Sequence, residues 1–183
     1  MIMKGSIKNV NQVDLYVFAE GIHNPRIDTI QVRSGEFTYE RRLSKPEILT
    51  LLFPNFSEVQ LVAEPGTTLE LMADASNLSK IRIKGTKENE LLTEFSHATN
   101  GKKESEKQLA AQQFIYDNVA THAAVAVFRE QFVKTLNPIL SEVQPLLDTL
   151  TAAQPDNELL HGMLTRVLPQ LSSAIGQELP SFE

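Results

Sequence analysis

Near residue 86 the hydrophobic pattern of this chain changes period, from the alternation of a β-strand to the 3.6-residue repeat of an amphipathic helix. A run patterned for one element does not settle into the other, so the chain reads as an α+β protein in two parts. Residues 1–85 are expected to form an antiparallel β-sandwich or open barrel, and residues 86–175 a small helical bundle or linker. In the first part "DLYVFAEG" (Asp14 to Gly21) is β-branched and aromatic and ends on a glycine. "RIDTIQVRSGEFTYERRL" holds two alternating runs around Ser34-Gly35, a short-turn hairpin signal, with Ile30 and Val32 sharing a face on one arm and Phe37 and Tyr39 on the other. "PEILTLLF", bounded by Pro46 and Pro54, is continuously apolar and predicts a more buried strand. "EVQLVAEPGTTLELMAD" repeats the hairpin logic around Pro65-Gly66, and "SKIRIKG" alternates Ile81 and Ile83 with Lys and Arg. About seven short strands at this spacing indicate a small sandwich or barrel.

The helical part opens on Thr86, the expected N-cap of "KENELLTEFSHAT", which Asn100-Gly101 ends. Ser105 with Gln108 fits a capping box for the next helix. Ala111, Phe114, Ile115 and Val119 form one apolar stripe, and Val125, Phe128 and Phe132 the next. Asn137-Pro138 predicts a helix start, and Pro145 an interruption or kink in "ILSEVQPLLDTL". A last helix is expected from near Asp156, carrying Leu159, Leu160, Met163, Leu164, Val167 and Leu168, with Pro169 near its end. The total is about four or five helices. If these do not cover one another, a homo-oligomer or a further domain would complete the burial.

Charge and cysteine content narrow the chemistry. The net charge of −6 resides entirely in residues 86–183, while residues 1–85 are neutral. An acidic chain repels phosphate backbones and anionic lipid surfaces, which argues against nucleic acid and membrane partners. With no cysteine there is no disulfide, thiolate zinc site, iron–sulfur cluster or cysteine nucleophile. "MIMKGSIKNV" turns polar too soon for the hydrophobic region of a signal peptide. The apolar runs "ILTLLF" and "AAVAVF" fall far short of the ~20 residues that span a bilayer, so direct membrane insertion is not expected.

Candidate site residues are few. His23, His97, His122 and His161 have no partners at zinc-ligand spacing and read as surface or boundary histidines. Glu88, Glu90, Glu94, Glu104 and Glu106 could attract cations, but a solvated helix surface is the simpler reading. Phe53 and Phe56, on either side of Pro54-Asn55, could line a groove at a sheet edge, or simply pack there. No Gly-x-Ser-x-Gly elbow and no glycine-rich phosphate loop is present. No catalytic residue, metal ligand or cofactor is therefore named.

Four phrases in order, "KGSIKNV", "VRSGEFTYE", "LVAEPGTTLELMAD" and "IRIKGTKENELLTEF", carry a family resemblance. The Ser34-Gly35-Glu36-Phe37 turn and the junction from Gly85-Thr86 to Asn89 hold most of it. The chain resembles the domain of unknown function that precedes the thioredoxin-like part of AhpC/TSA and TlpA-type envelope thiol-disulfide oxidoreductases. In that family a helical linker follows the sandwich, and the thioredoxin-like domain opens with a Gly-x-x-x-Pro-x-Phe phrase. Gly176, Pro180 and Phe182 match it, so residues 176–183 are expected to begin such a domain, with Leu179 and Phe182 poorly buried without it. The resemblance implies a periplasmic or cell-envelope location and the thioredoxin-like domain as partner. The Cys-x-x-Cys pair that would exchange disulfides is missing, and because thiol exchange needs a thiolate, this chain by itself is expected to have no such activity.

Three functions follow. The first is a non-catalytic N-terminal module that positions the redox domain or engages its client. The second is a free-standing envelope module that binds an exported peptide or glycan on a sheet edge. The third is an enzyme of unrecognised type.

Overall fold

The computed structural model describes residues 1–21 and 26–175. The expectations placed on His23, Gly176, Leu179, Pro180 and Phe182 lie outside the described residues. Eight strands come first: β1 (Ile2–Lys8), β2 (Gln12–Ala19), β3 (Asp28–Arg33), β4 (Glu36–Glu40), β5 (Glu47–Leu52), β6 (Glu58–Ala63), β7 (Thr68–Asp74) and β8 (Arg82–Lys84). Five helices follow: α1 (Lys87–Thr99), α2 (Glu104–Asp117), α3 (His122–Phe128), α4 (Leu140–Ala153) and α5 (Glu158–Ile175). The switch of period near residue 86 thus falls between β8 and α1, and the chain is α+β.

The strands form one nearly closed, barrel-like sheet in the order β6-β5-β2-β3-β4-β1-β7-β8. Its ladders are antiparallel except that β1 and β7 run parallel, from Ile2 beside Thr68 to Lys8 beside Asp74. The Ser34-Gly35 turn joins β3 to β4 with both residues at positive φ (53° and 77°), the geometry of a tight hairpin. The Pro65-Gly66 turn, in contrast, makes no hairpin. β6 and β7 are not paired, because β7 is taken on one side by β1 and on the other by β8. The short link of residues 64–67 nevertheless joins them. At ~3.3–3.6 Å per residue it can do so only because the sheet curls until its margins approach.

Alternation places Met3, Leu15, Val17, Val32, Leu61 and Leu69 in the barrel interior, all fully buried. β5 is largely apolar, with Thr50 buried among its leucines, because both its faces are covered. Leu49 and Leu51 face the barrel core, and Ile48 joins Val62 of β6 in a second core built with the helices. Val125, Phe128 and Phe132 lie in that second core with Val143, Leu146, Leu147 and Leu150, so this stripe is covered within the chain.

Helix boundaries follow packing as much as capping. α2 begins at Glu104 behind Lys103, and the Glu106 carboxylate accepts from the Lys103 N–H (3.3 Å), instead of the box expected at Ser105 and Gln108. Glu104 and Glu106 in the first turn complement the positive end of the helix dipole. α4 starts at Leu140, three residues after Asn137, in register with buried Val143, Leu146, Leu147 and Leu150. Pro145 sits inside α4 without ending it, since these contacts hold the helix on both sides. Pro169 likewise lies inside α5. Asn157 caps α5, its Oδ1 accepting from the Leu159 and Leu160 N–H groups.

Candidate functional site at the barrel seam

A sheet that almost closes leaves two margins, here β6 and β8, whose outward N–H and C=O groups need partners. α1 supplies part of them. Thr86 caps the helix, its Oγ1 accepting from the Asn89 N–H (3.4 Å) and from Asn89 Nδ2 (2.8 Å). Asn89 is fully buried, and its side-chain amide takes the place of a neighbouring strand. Oδ1 accepts from the Val62 N–H (3.0 Å) and Nδ2 donates to the Val62 carbonyl (2.7 Å). One turn on, Thr93 Oγ1 accepts from the Ile83 N–H (3.1 Å) and donates to its carbonyl (3.2 Å). One turn further, His97 Nε2 donates to the Ile81 carbonyl (2.9 Å). Asn89, Thr93 and His97 stand at i, i+4 and i+8, one face of the helix: Thr93 and His97 dock α1 along the β8 margin, and Asn89 fastens it to β6.

Among the described residues of α1, Asn89 alone hydrogen-bonds to β6. Beyond it α1 and β6 part, leaving a groove of about 390 Å³. Its apolar lining includes Val59, Ile81, Ile83, Leu92 and Phe95, and Lys107, Glu130 and Gln131 stand on its other side. Such a volume lies within the ~300–1,000 Å³ typical of ligand sites.

Behind the groove, the helix path widens into one π-helical turn, Arg129–Val133, a distortion frequent at functional sites. It holds a polar network against the outer face of the barrel. Arg129 Nη2 pairs with Glu20 Oε2 (2.5 Å), and Glu20 Oε1 also accepts from Thr50 Oγ1. Gln60 Nε2 donates to Glu130, and Lys134 Nζ bridges Glu58 (2.6 Å) and Glu130 (2.9 Å). Both oxygens of the buried Glu20 carboxylate are engaged, so it ties β2 and β5 to the π-turn. Arg129 Nη1 and Gln131 Oε1 are buried without a hydrogen-bond partner.

The remaining sequence candidates are dispersed. Glu90, Glu94, Glu104 and Glu106 are exposed on two helices. Phe53 is 4% exposed in the barrel core while Phe56 is 86% exposed, so the two do not share a groove. His161 contacts the Pro155 carbonyl (2.5 Å). Among the described residues no group of three or more His, Asp or Glu is placed to hold a metal ion. No described helix is long and apolar enough to cross a membrane.

Glu88 has a structural task. Its carboxylate accepts from the backbone N–H groups of His122 (3.2 Å) and Ala123 (2.7 Å), while Thr121 Oγ1 takes that of Ala124 (3.1 Å). The free N–H groups at the start of α3 are thereby satisfied from α1 and the cap. Burial opposes ionisation of Glu88, but the His122 imidazole beside it (Nδ1 at 3.8 Å) and the hydrogen bonds from these N–H groups outweigh it and hold the carboxyl below its ordinary range. A carboxyl depressed in the folded state stabilises at neutral pH, and that contribution is lost as pH falls below its unfolded value of about 4.3. Glu88→Gln is accordingly expected to flatten the pH dependence of urea-unfolding stability between about pH 5 and pH 3. Parallel profiles for the two proteins would contradict this.

The site is thus the seam of a small mixed barrel, with α1 along the β8 margin and a groove beside the β6 margin. Residues 1–92, half the chain, match the model of the family described as Domain of unknown function (DUF4369), and the chain belongs to that family. The match takes in the whole barrel and α1 as far as Leu92, including Asn89, and extends to no thioredoxin-like domain. No curated protein and no solved structure shows significant similarity to the chain.

Proposed function

We propose that this chain is a non-catalytic module of a thioredoxin-like thiol-disulfide oxidoreductase of the cell envelope, positioning the redox domain or engaging its partner. The observation that carries the recognition part is the seam groove, which joins an apolar floor to polar walls but assembles no nucleophile, base and orienting group. The redox context rests on the resemblance of the Ser34–Phe37 turn and the Gly85–Asn89 junction to domains that precede thioredoxin-like ones. Having no cysteine, these residues act on the chemistry only through a thioredoxin-like domain that carries the thiols.

Fusing the chain ahead of a thioredoxin-like domain tests this reading. The fusion is expected to reduce a small disulfide such as oxidised glutathione at the rate of the redox domain alone. Its rate on a protein disulfide should change several-fold, since only a large substrate meets the module. Equal rates on both substrates, with and without the module, would refute it.

A further inference from the structure

We propose that the open margin of β6 at Glu58–Gln60 binds an extended segment of a separate polypeptide as an added strand, seated in the seam groove. This rests on the reading of the chain as a recognition module and names the contact it makes.

The argument begins with the alternation of hydrogen bonds along an antiparallel strand. Residues two apart present their N–H and C=O groups to the same side. Phe53 N–H donates to the Ser57 carbonyl (2.9 Å), and the ladder with β5 continues through the odd-numbered residues of β6. The even-numbered residues face away, as Val62 demonstrates by bonding Asn89 with both of its backbone groups. Gln60 and Glu58 therefore turn theirs toward the groove, where no described group bonds them. A strand margin in this state is a template for another chain.

The chemistry of the occupant is set by the neighbouring position. Val62 is satisfied by a primary amide that gives one donor and one acceptor, the same pair a peptide group offers. The next position along the margin repeats the demand at strand spacing. An added strand would turn alternate side chains to the floor formed by Val59, Ile81, Leu92 and Phe95, which asks for an apolar residue at every second position. Charge adds little preference, because the carboxylates lining the groove, Glu58 and Glu130, are both paired with Lys134 and Lys107 stands beside them, so an uncharged segment suits it. Just before the open margin stands Phe56, 86% exposed and held at a left-handed φ of 62°. A bulky residue in that backbone region is strained, and such strain gathers at binding sites.

The test uses the full chain and a short capped peptide of alternating valine and threonine. Its control is the same peptide N-methylated at alternate residues, which cannot pair with a strand margin. Amide hydrogen exchange is followed residue by residue. In the free protein the Glu58 and Gln60 amides should exchange far faster than that of Val62, and the peptide should slow them by about tenfold or more. The methylated peptide should have no effect. Ser96→Trp places bulk in the groove from an exposed position on α1, and should abolish the protection while leaving the thermal midpoint unchanged. Glu58 and Gln60 amides already as protected as Val62, or unmoved by saturating peptide, would overturn the proposal. So would protection that survives in Ser96→Trp. Peptide protection together with unchanged redox rates in the fusion would refute the redox-module reading alone, and altered redox rates without peptide protection would refute the strand-addition site alone.

Discussion

Gly85→Ala is expected to destabilise the protein by roughly 3–5 kcal/mol, combining left-handed strain with forced separation of packed backbone. Gly85 has a φ of +113°, outside the range an L-residue adopts comfortably. Space is the larger obstacle. A Cβ there would lie 2.2 Å from the Thr68 carbonyl oxygen and 3.2 Å from the Leu69 Cα. These are backbone atoms of β7, a strand held on both sides, so neither can swing away as a side-chain tip could. Relief would have to come from moving α1 off the seam, which would strip Asn89 and Thr93 from the margins they satisfy. Gly66 supplies an internal control. It has a similar positive φ of +75° but no atom within 4 Å of a built Cβ. Gly66→Ala should therefore cost only the conformational term, about 1–2 kcal/mol. Urea unfolding of both variants checks the pair, and equal losses would show that close packing at Gly85 contributes nothing.

The contrast between two turns shows what local sequence can and cannot convey. Ser34-Gly35 was legible because a tight hairpin is decided by the φ values its own residues allow. Pro65-Gly66 carries the same kind of signal, yet its flanking strands are parted by the curl of the whole sheet, a property of no single segment. The parallel β1–β7 ladder is equally non-local, since it joins residues more than sixty positions apart. The site shows the same division. The Gly85-Thr86 to Asn89 junction stood out in the sequence, but the partner of Asn89 is Val62, 27 positions away. A sharper reading could have found the docking face, because Asn89, Thr93 and His97 recur every four residues on an amphipathic helix. Attention to the charged positions Glu90 and Glu94 picked the neighbouring, exposed face instead. Nothing local could have paired Glu20 with Arg129, two charges that meet only once α3 has packed on the barrel.

Asn89→Leu is expected to cost roughly 2–5 kcal/mol, since it leaves a buried N–H and a buried C=O of Val62 without partners. For a chain of this length that corresponds to a fall in thermal midpoint of roughly 5–15 °C. The loss should be uneven. Val62 lies at the one place where α1 holds β6, so its amide should lose protection before those of Leu15 or Val17 deep in the barrel. Asn89→Asp separates the two halves of the contact. It keeps an oxygen for the Val62 N–H but sets a second one against the Val62 carbonyl, which the native Nδ2 approaches to 2.7 Å. An ionised carboxylate buried against a carbonyl is disfavoured, so the introduced group should have a raised pKa in the folded state. A carboxyl raised on folding destabilises most at high pH, and its deficit shrinks as pH falls and the protonated form regains a donor. The gap in stability between Asn89→Asp and the native protein should therefore narrow from pH 8 to pH 5, while that of Asn89→Leu stays constant. If both gaps are flat with pH, the Asn89 amide is not the strand substitute that closes the seam.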